Sequence, residues 1–260
     1  MLLKDNLVPL GPDVDSADPL EVARFNALAE EWWKADGQLK AVYKFNAARR
    51  EYLFGALVQH FGRSRTAPET LSHLKVLDVG CGAGLVSEYL AEHGAKVLGI
   101  DAAECNIRMA EVHAKKSRVD VAYEHALPEH IEASGSQFDA VFAMEVVEHV
   151  ANPVRFLEIC CRLVSPGGVL FVATLNRTLR SFAFAIVGAE YVLGLLPRGT
   201  HSWGNFLCPD EIAAVTARCG LQRKEIVGLN YNPLRRSWSV GGDHSVNYIL
   251  GAAAPRLEHA

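Results

Sequence analysis

Between residues 75 and 174, short and nearly continuous apolar runs alternate with longer stretches whose apolar positions recur every three or four residues. Residues 75–79, 96–100, 119–123, 138–144 and 169–174 have the length and composition of strands, while 84–92, 104–116 and 153–163 have helical spacing. Strands without polar alternation are buried on both faces, so helices must cover both sides of a mostly parallel sheet. The pattern predicts a doubly wound α/β fold. Upstream, Asp18, Pro19 and Glu21 combine an N-cap acid, proline at the first helical position and an acid at the third. Apolar positions at Val22, Phe25, Leu28 and Trp32 carry that helix toward Asp36-Gly37, and a second helix is expected over 40–60. Past 176 the rhythm changes to an apolar run at 182–196, a helix at 209–219 and strand candidates at 221–227 and 237–249.

These elements divide the chain into a flexible leader (1–18), an N-terminal helical segment (19–62), a main domain (70–250) with an inserted segment at 178–200, and a tail (251–260). A net charge of −4 gives no electrostatic footprint for nucleic acid, which is not expected as a partner. Six cysteines without CxxC spacing suit neither a zinc site nor a disulfide framework, and point to a reducing, cytoplasmic setting. The acidic N-terminal segment has the features of neither a signal nor a transit peptide. The apolar run at 182–196 is interrupted by Glu190 and ended by Pro197, too short to span a bilayer. Flanked by Arg177, Arg180 and Arg198, it reads either as an interfacial helix on an anionic membrane or as a buried helix or lid.

The candidate chemistry starts where the first strand enters Gly80, Gly82 and Gly84, with Asp78 inside the strand end. Such a turn bends sharply and lets a ligand approach backbone at a helix start. A dinucleotide fingerprint would need glycine at 85, which is leucine, and no P-loop lysine follows. Asp101, seventeen residues after Gly84, ends the second strand, where a carboxylate can accept from ribose hydroxyls or cap the next helix. In the segment FDAVFAMEVVEHV, residues Glu145, Glu148 and His149 follow a strand end at spacings that would share one face of a helical turn. Such a set could hold a divalent ion, magnesium by its oxygens with zinc or manganese admitted by the histidine, or could serve the helix dipole. Thr174, Asn176 and His201 either line an acceptor side or cap turns.

Taken together, LDVGCGAG, Asp101 and the LVSPGG turn resemble the class I S-adenosylmethionine-dependent methyltransferases. That resemblance implies a Rossmann-like, seven-stranded sheet with its last strand antiparallel. Three further segments sharpen it: ARFNALAEEWWKADGQLKAVYKFNAARREYL, ATLNRTLRSFAFAIVGAEYVLGLLPRGTHSW and GLNYNPLRRSWSVGGDHSVNYIL are similar to the ubiquinone-biosynthesis O-methyltransferases, from about Phe25 to Leu250. The family often has INPLR where this chain has Phe45-Asn46-Ala47-Ala48-Arg49. The resemblance implies that Arg49, Gly80, Asp101 and Met144 contact the cofactor, with Asp78 and Gly82 beside them. It also implies that Glu145, Glu148 and His149 bind a divalent metal, with His149 or Glu145 as alternative bases. The implied acceptor is a polyprenylated phenol or quinol, met at the inner face of the membrane, alone or within a biosynthetic complex. A methyltransferase of other specificity, or a non-catalytic cofactor-binding subunit, are the competing readings.

Overall fold

The computed structural model describes residues 16–28, 40–67, 69–182, 203–232 and 237–256. Two helices come first, α1 (Pro19–Leu28) and α2 (Lys40–His60). They lead into β1 (Lys75–Val79), α3 (Leu85–Glu92), β2 (Lys96–Asp101), α4 (Glu104–Ser117), β3 (Ala122–His125), α5 (Pro128–Ala133) and β4 (Phe138–Met144). A 3₁₀ turn at Val147–His149 precedes α6 (Pro153–Arg162) and β5 (Val164–Leu175), and a single helical turn, α7, covers Leu179–Ser181. The chain closes with α8 (Pro209–Arg218), β6 (Gln222–Asn232), β7 (Ser237–Val240) and β8 (Asn247–Ala253).

One sheet results, in the order β3-β2-β1-β4-β5-β8-β6-β7. The first five strands are parallel, and β8, β6 and β7 add antiparallel to their neighbours. Connections leave β1 toward β2 on one side and reach β4 on the other, so the winding reverses between β1 and β4, where ligands bind in open α/β sheets. The doubly wound architecture is as expected, with one strand beyond the expected seven. Gly241 and Gly242, both at positive φ, interrupt the run read as a single strand over 237–249 and divide it into β7 and β8. β8 continues to Ala253, past the boundary drawn at 250.

Alternation along β4 shows how both faces are covered. Val141 and Ala143 join Phe156, Leu157 and Ile159 of α6 and Ile212 of α8 in one core layer. Ala140, Phe142 and Met144 join Leu53, Phe54 and Leu57 of α2 and Val86 and Leu90 of α3 in the other. Phe142 stacks on Phe171 across the strand pair at 5.5 Å. Each fully buried leucine of α2 contributes roughly 1.5–3 kcal/mol, which makes α2 a structural layer of the domain and not an appendage.

Two local differences have plain causes. The third strand lies at Ala122–His125, not 119–123, because Arg118 takes a left-handed conformation and Val119 N–H returns to Ala114 O, spending those residues on the exit from α4. The edge position leaves this strand largely exposed, so apolarity was a poor guide. The six-residue helix α5, started by Pro128, is too short to show helical periodicity.

Tyr248 is fully buried, and its hydroxyl donates to Leu207 O at 2.9 Å, tying β8 to the segment before α8. Tyr248→Phe is expected to lower unfolding free energy by about 1–2 kcal/mol in urea titration with the m-value unchanged.

Candidate active site

The carboxyl ends of β2, β1, β4 and β5 lie side by side, placing Asp101, Gly80, Glu145 and Thr174 along one edge of the sheet. The glycine turn is anchored to β2 by Gly80 N–H and Cys81 N–H, which both donate to Ile100 O at 2.8 and 3.0 Å. Gly80, Gly82 and Gly84 take φ of +68°, +55° and +85°. A β-carbon at Gly80 would lie 2.3 Å from Val146 Cγ2, and one at Gly84 would lie 2.1 Å from the Tyr123 hydroxyl. Both requirements demand glycine. Gly84 ends the turn as the residue preceding α3, as the sequence suggested.

Asp101 is buried and already used within the protein. Its Oδ2 accepts from Gly82 N–H at 2.9 Å, and its Oδ1 accepts from Ala103 N–H at 2.7 Å and Asn106 Nδ2 at 3.3 Å. Burial nevertheless raises its carboxyl above the ordinary value. Asp78 accepts from Ser87 Oγ at 2.6 Å, and burial pushes its carboxyl up to about 6. Met144 is buried in the layer beneath α2.

Arg49 reaches this edge from α2. Its Nη1 pairs with Glu145 Oε1 at 3.2 Å, its Nη2 donates to Asn46 Oδ1, and its guanidinium lies 4.9 Å from the Phe45 ring. Desolvation lowers the guanidinium pKa while the charges of Glu145, Asp78 and Glu148 favour the cation. Arg49 Nε is buried with no hydrogen-bond partner among the described residues. Glu145 itself has φ +58°, a costly conformation for a non-glycine residue. Its N–H still donates to Ala173 O, so the kink starts directly at the end of the sheet. Burial and the neighbouring Glu148 push the Glu145 carboxyl up to about 7, against Arg49 and His149.

The kink and the 3₁₀ turn replace the expected helical face and give each of the three side chains a partner of its own, with Glu145 and Glu148 still neighbours. Glu145 turns to Arg49; Glu148 Oε2 accepts from Thr174 Oγ1 at 2.8 Å, and His149 Nδ1 lies 2.8 Å from Glu21 Oε2 on α1. Among the described residues, no group of three His, Cys, Asp or Glu side chains is placed to hold a metal ion. The arrangement therefore does not fit the expected three-ligand site, although Glu148 Oε1 is buried without a partner among the described residues. Desolvation lowers the His149 pKa, but the proximity of Glu21 and the charges of Glu148, Glu21 and Glu145 outweigh it and leave the imidazole above its ordinary value.

By sequence, Glu21 is a helix-start acid only. Asp18 supplies that cap, accepting Leu20 N–H at 2.8 Å, which leaves Glu21 available for His149. Thr174 is occupied by Glu148, and Asn176 donates to His244 O, so both serve internal bonding. His201 and residues 183–200 lie outside the described residues.

The sheet order, the turn after β1 and the acid ending β2 define the fold of the class I S-adenosylmethionine-dependent methyltransferases. A family described as a methyltransferase domain matches residues 77–172. Among solved structures, the chain is similar to magnesium protoporphyrin IX methyltransferase from Synechocystis PCC 6803 with bound S-adenosylhomocysteine, at TM-score 0.64 and 19% identity, covering 90% of this chain and 98% of that one. It is also similar to the N-methyltransferase NodS from Bradyrhizobium japonicum with the same bound molecule, at TM-score 0.59 and 16% identity over 91% and 98% of the two chains. In sequence it is 47% identical to the ubiquinone biosynthesis O-methyltransferase of Methylobacterium sp. (strain 4-46), over 95% of this chain and 98% of that protein. Identity to the protein of the same name from Parvibaculum lavamentivorans is 46%, over 93% and 95%. The chain belongs to the ubiquinone biosynthesis O-methyltransferase family.

Asp78 provides a pH test of the site's construction. A carboxyl raised to about 6 stabilises the fold most below its ordinary value of 3.8, and that contribution is lost as pH rises through about 6. Asp78→Asn is therefore expected to gain about 2 kcal/mol of stability, relative to wild type, between pH 4.5 and pH 7.5. Denaturant titrations of both proteins without added cofactor measure the difference.

Proposed function

We propose that this chain transfers a methyl group from S-adenosylmethionine to a phenolic oxygen of a polyprenylated catechol or quinol in ubiquinone biosynthesis. The observation that carries the reading is the convergence of Arg49, the glycine turn, Asp101, Glu145 and His149 on the carboxyl edge at the β1/β4 reversal, in a chain of this family. The buried, unpartnered Nε of Arg49 suits the carboxylate of an amino-acid moiety, and the remaining lone pair on Asp101 Oδ2 suits a ribose hydroxyl. When bound, S-adenosylmethionine supplies a methyl group already activated by a positive sulfur.

The protein's share is alignment and removal of one proton. As the acceptor oxygen forms its bond to the methyl carbon, the carbon–sulfur bond breaks and its electron pair stays on sulfur. The phenolic proton passes to His149, whose Nδ1 lies 2.8 Å from Glu21 Oε2. The products are the methyl ether and S-adenosylhomocysteine. Glu145 stays on Arg49 and keeps the cofactor side in place. Metal assistance, with magnesium preferred over zinc or manganese, would require Glu145 to leave Arg49 and His149 to leave Glu21.

An assay with methyl-labelled S-adenosylmethionine and a catechol carrying a short prenyl chain tests the reading. Label is expected on oxygen, and His149→Ala is expected to lower kcat by about 100-fold or more with S-adenosylmethionine affinity retained. Turnover is expected to survive EDTA; loss on chelation with recovery in magnesium would restore the three-ligand arrangement. No label on oxygen would favour a methyltransferase of other specificity or a non-catalytic subunit.

The acceptor's tail also bears on location. No described helix is long and apolar enough to cross a membrane. Leu179, Phe182 and Trp203 expose their apolar side chains at the two ends of the segment 183–202, and Arg180 beside them is exposed. These features support peripheral docking on the anionic inner face of the membrane, where a polyprenylated acceptor resides, alone or within a biosynthetic assembly. Leu179→Asp combined with Phe182→Asp is expected to reduce sedimentation with anionic liposomes at least several-fold; unchanged sedimentation would count against this surface.

A further inference from the structure

Resting on the reading of Arg49 as the contact for the cofactor's carboxylate, we propose that Trp238 on β7 is a positioning residue for that cation, acting through the ring of Phe45. Phe45 and Arg49 stand four residues apart on α2, so their side chains share one face of the helix. The guanidinium carbon of Arg49 lies 4.9 Å from the Phe45 ring centroid, and the Phe45 ring meets the Trp238 ring at 5.0 Å and 80°. Trp238 is in turn paired across the hairpin with Tyr231, their rings 5.2 Å apart. A file of three aromatic rings thus runs from the exposed Tyr231 inward to a buried cation.

β7 is the strand beyond the expected seven, and this contact gives it a task. Gly241 N–H donates to Gly228 O at 2.8 Å and Asn230 Nδ2 donates to Gly241 O, fixing β7 to β6 at the end where the chain turns off toward β8. Trp238 and Val240, two residues apart and hence on one face of the strand, pack against the core layer that contains α2. On the cation, Glu145 takes Nη1 and Asn46 takes Nη2, and the nitrogen left without a partner among the described residues is Nε. Where Nε points depends on the tilt of the guanidinium plane, which contacts at the two terminal nitrogens leave free to rock. A ring beside the guanidinium restricts that tilt, and the attraction between cation and ring is stronger away from water. Phe45 is only half-buried, so its own orientation depends on what backs it, and Trp238 supplies that backing from another layer of the fold.

Calorimetric binding of S-adenosylhomocysteine tests this, with 5′-methylthioadenosine, which keeps the nucleoside and lacks the amino-acid moiety, as the second probe. Trp238→Leu keeps an apolar side chain and removes the ring. It is expected to weaken S-adenosylhomocysteine binding by about 5–30-fold while 5′-methylthioadenosine binding stays within about twofold. Trp238→Met gives a second reading of the same loss, and Trp238→Phe is expected to recover most of the affinity. In turnover, Trp238→Leu should raise KM for S-adenosylmethionine with kcat at saturation within about twofold. Val240→Ala, on the same face of β7, is expected to leave both affinities within about twofold of wild type. In an Arg49→Ala background, Trp238→Leu should produce no further loss. Unchanged S-adenosylhomocysteine affinity in Trp238→Leu, an equal loss for both probes, an equal loss in Val240→Ala, or an additive loss on top of Arg49→Ala would overturn the proposal. If Arg49→Ala alone binds S-adenosylhomocysteine as wild type does, the reading of Arg49 fails instead, and the two failures are told apart.

Discussion

The ion pair between the buried Arg49 and the half-buried Glu145 is the constraint around which the site is arranged. A guanidinium taken out of water carries a desolvation cost of several kcal/mol unless anions and acceptors surround it. Here Glu145 and Asn46 bond it, and Asp78 and Glu148 lie close enough for their charges to act on it. The pair bridges α2 and the end of β4, elements almost a hundred residues apart. It gives Glu145 a cationic partner while Glu148 stays beside it, so two carboxylates share this edge with one guanidinium. Glu148 then falls to Thr174 and His149 to Glu21.

The same pairing explains why the helices preceding the sheet belong to the functional unit. α2 supplies a core layer and the cation, while α1 supplies a carboxylate and an aromatic edge against the imidazole. The sheet contributes the glycine turn and the acid at the end of β2. Each layer therefore brings a different chemical function to one edge: positive charge from above, hydroxyl acceptors from the strand ends, and a shielded base between them.

Much of this could be read from the chain because the strands from β1 to β5 are apolar on both faces, and period and length settle such segments. The glycines and Asp101 were found because their spacing from a strand end is local information. Glu145, Glu148 and His149 were found as a cluster, but their spacing assumed a helix. The structure instead has a left-handed conformation at Glu145, a 3₁₀ turn after it and an ion pair to Arg49, a tertiary contact that no local pattern encodes. Glu21 was hidden differently. An acid in the first turn of a helix already has an ordinary explanation, and only the approach of residues 149–151 to the chain before α1 gives it another. The exposed β3 and the short α5 escaped because edge position and brevity erase periodicity.

The crowding at Gly80 and Gly84 separates two meanings of a glycine-rich turn. The β-carbons excluded there would strike Val146 and Tyr123, side chains of the protein itself. Those glycines are thus a condition for packing the turn after β1 against the Tyr123 side chain of β3 and against Val146 after β4, prior to any question of what is bound. A descendant stripped of Arg49, Glu145 and His149 would still need both glycines to fold. The turn testifies to ancestry and architecture, and evidence of catalysis must be sought in the charged residues around it.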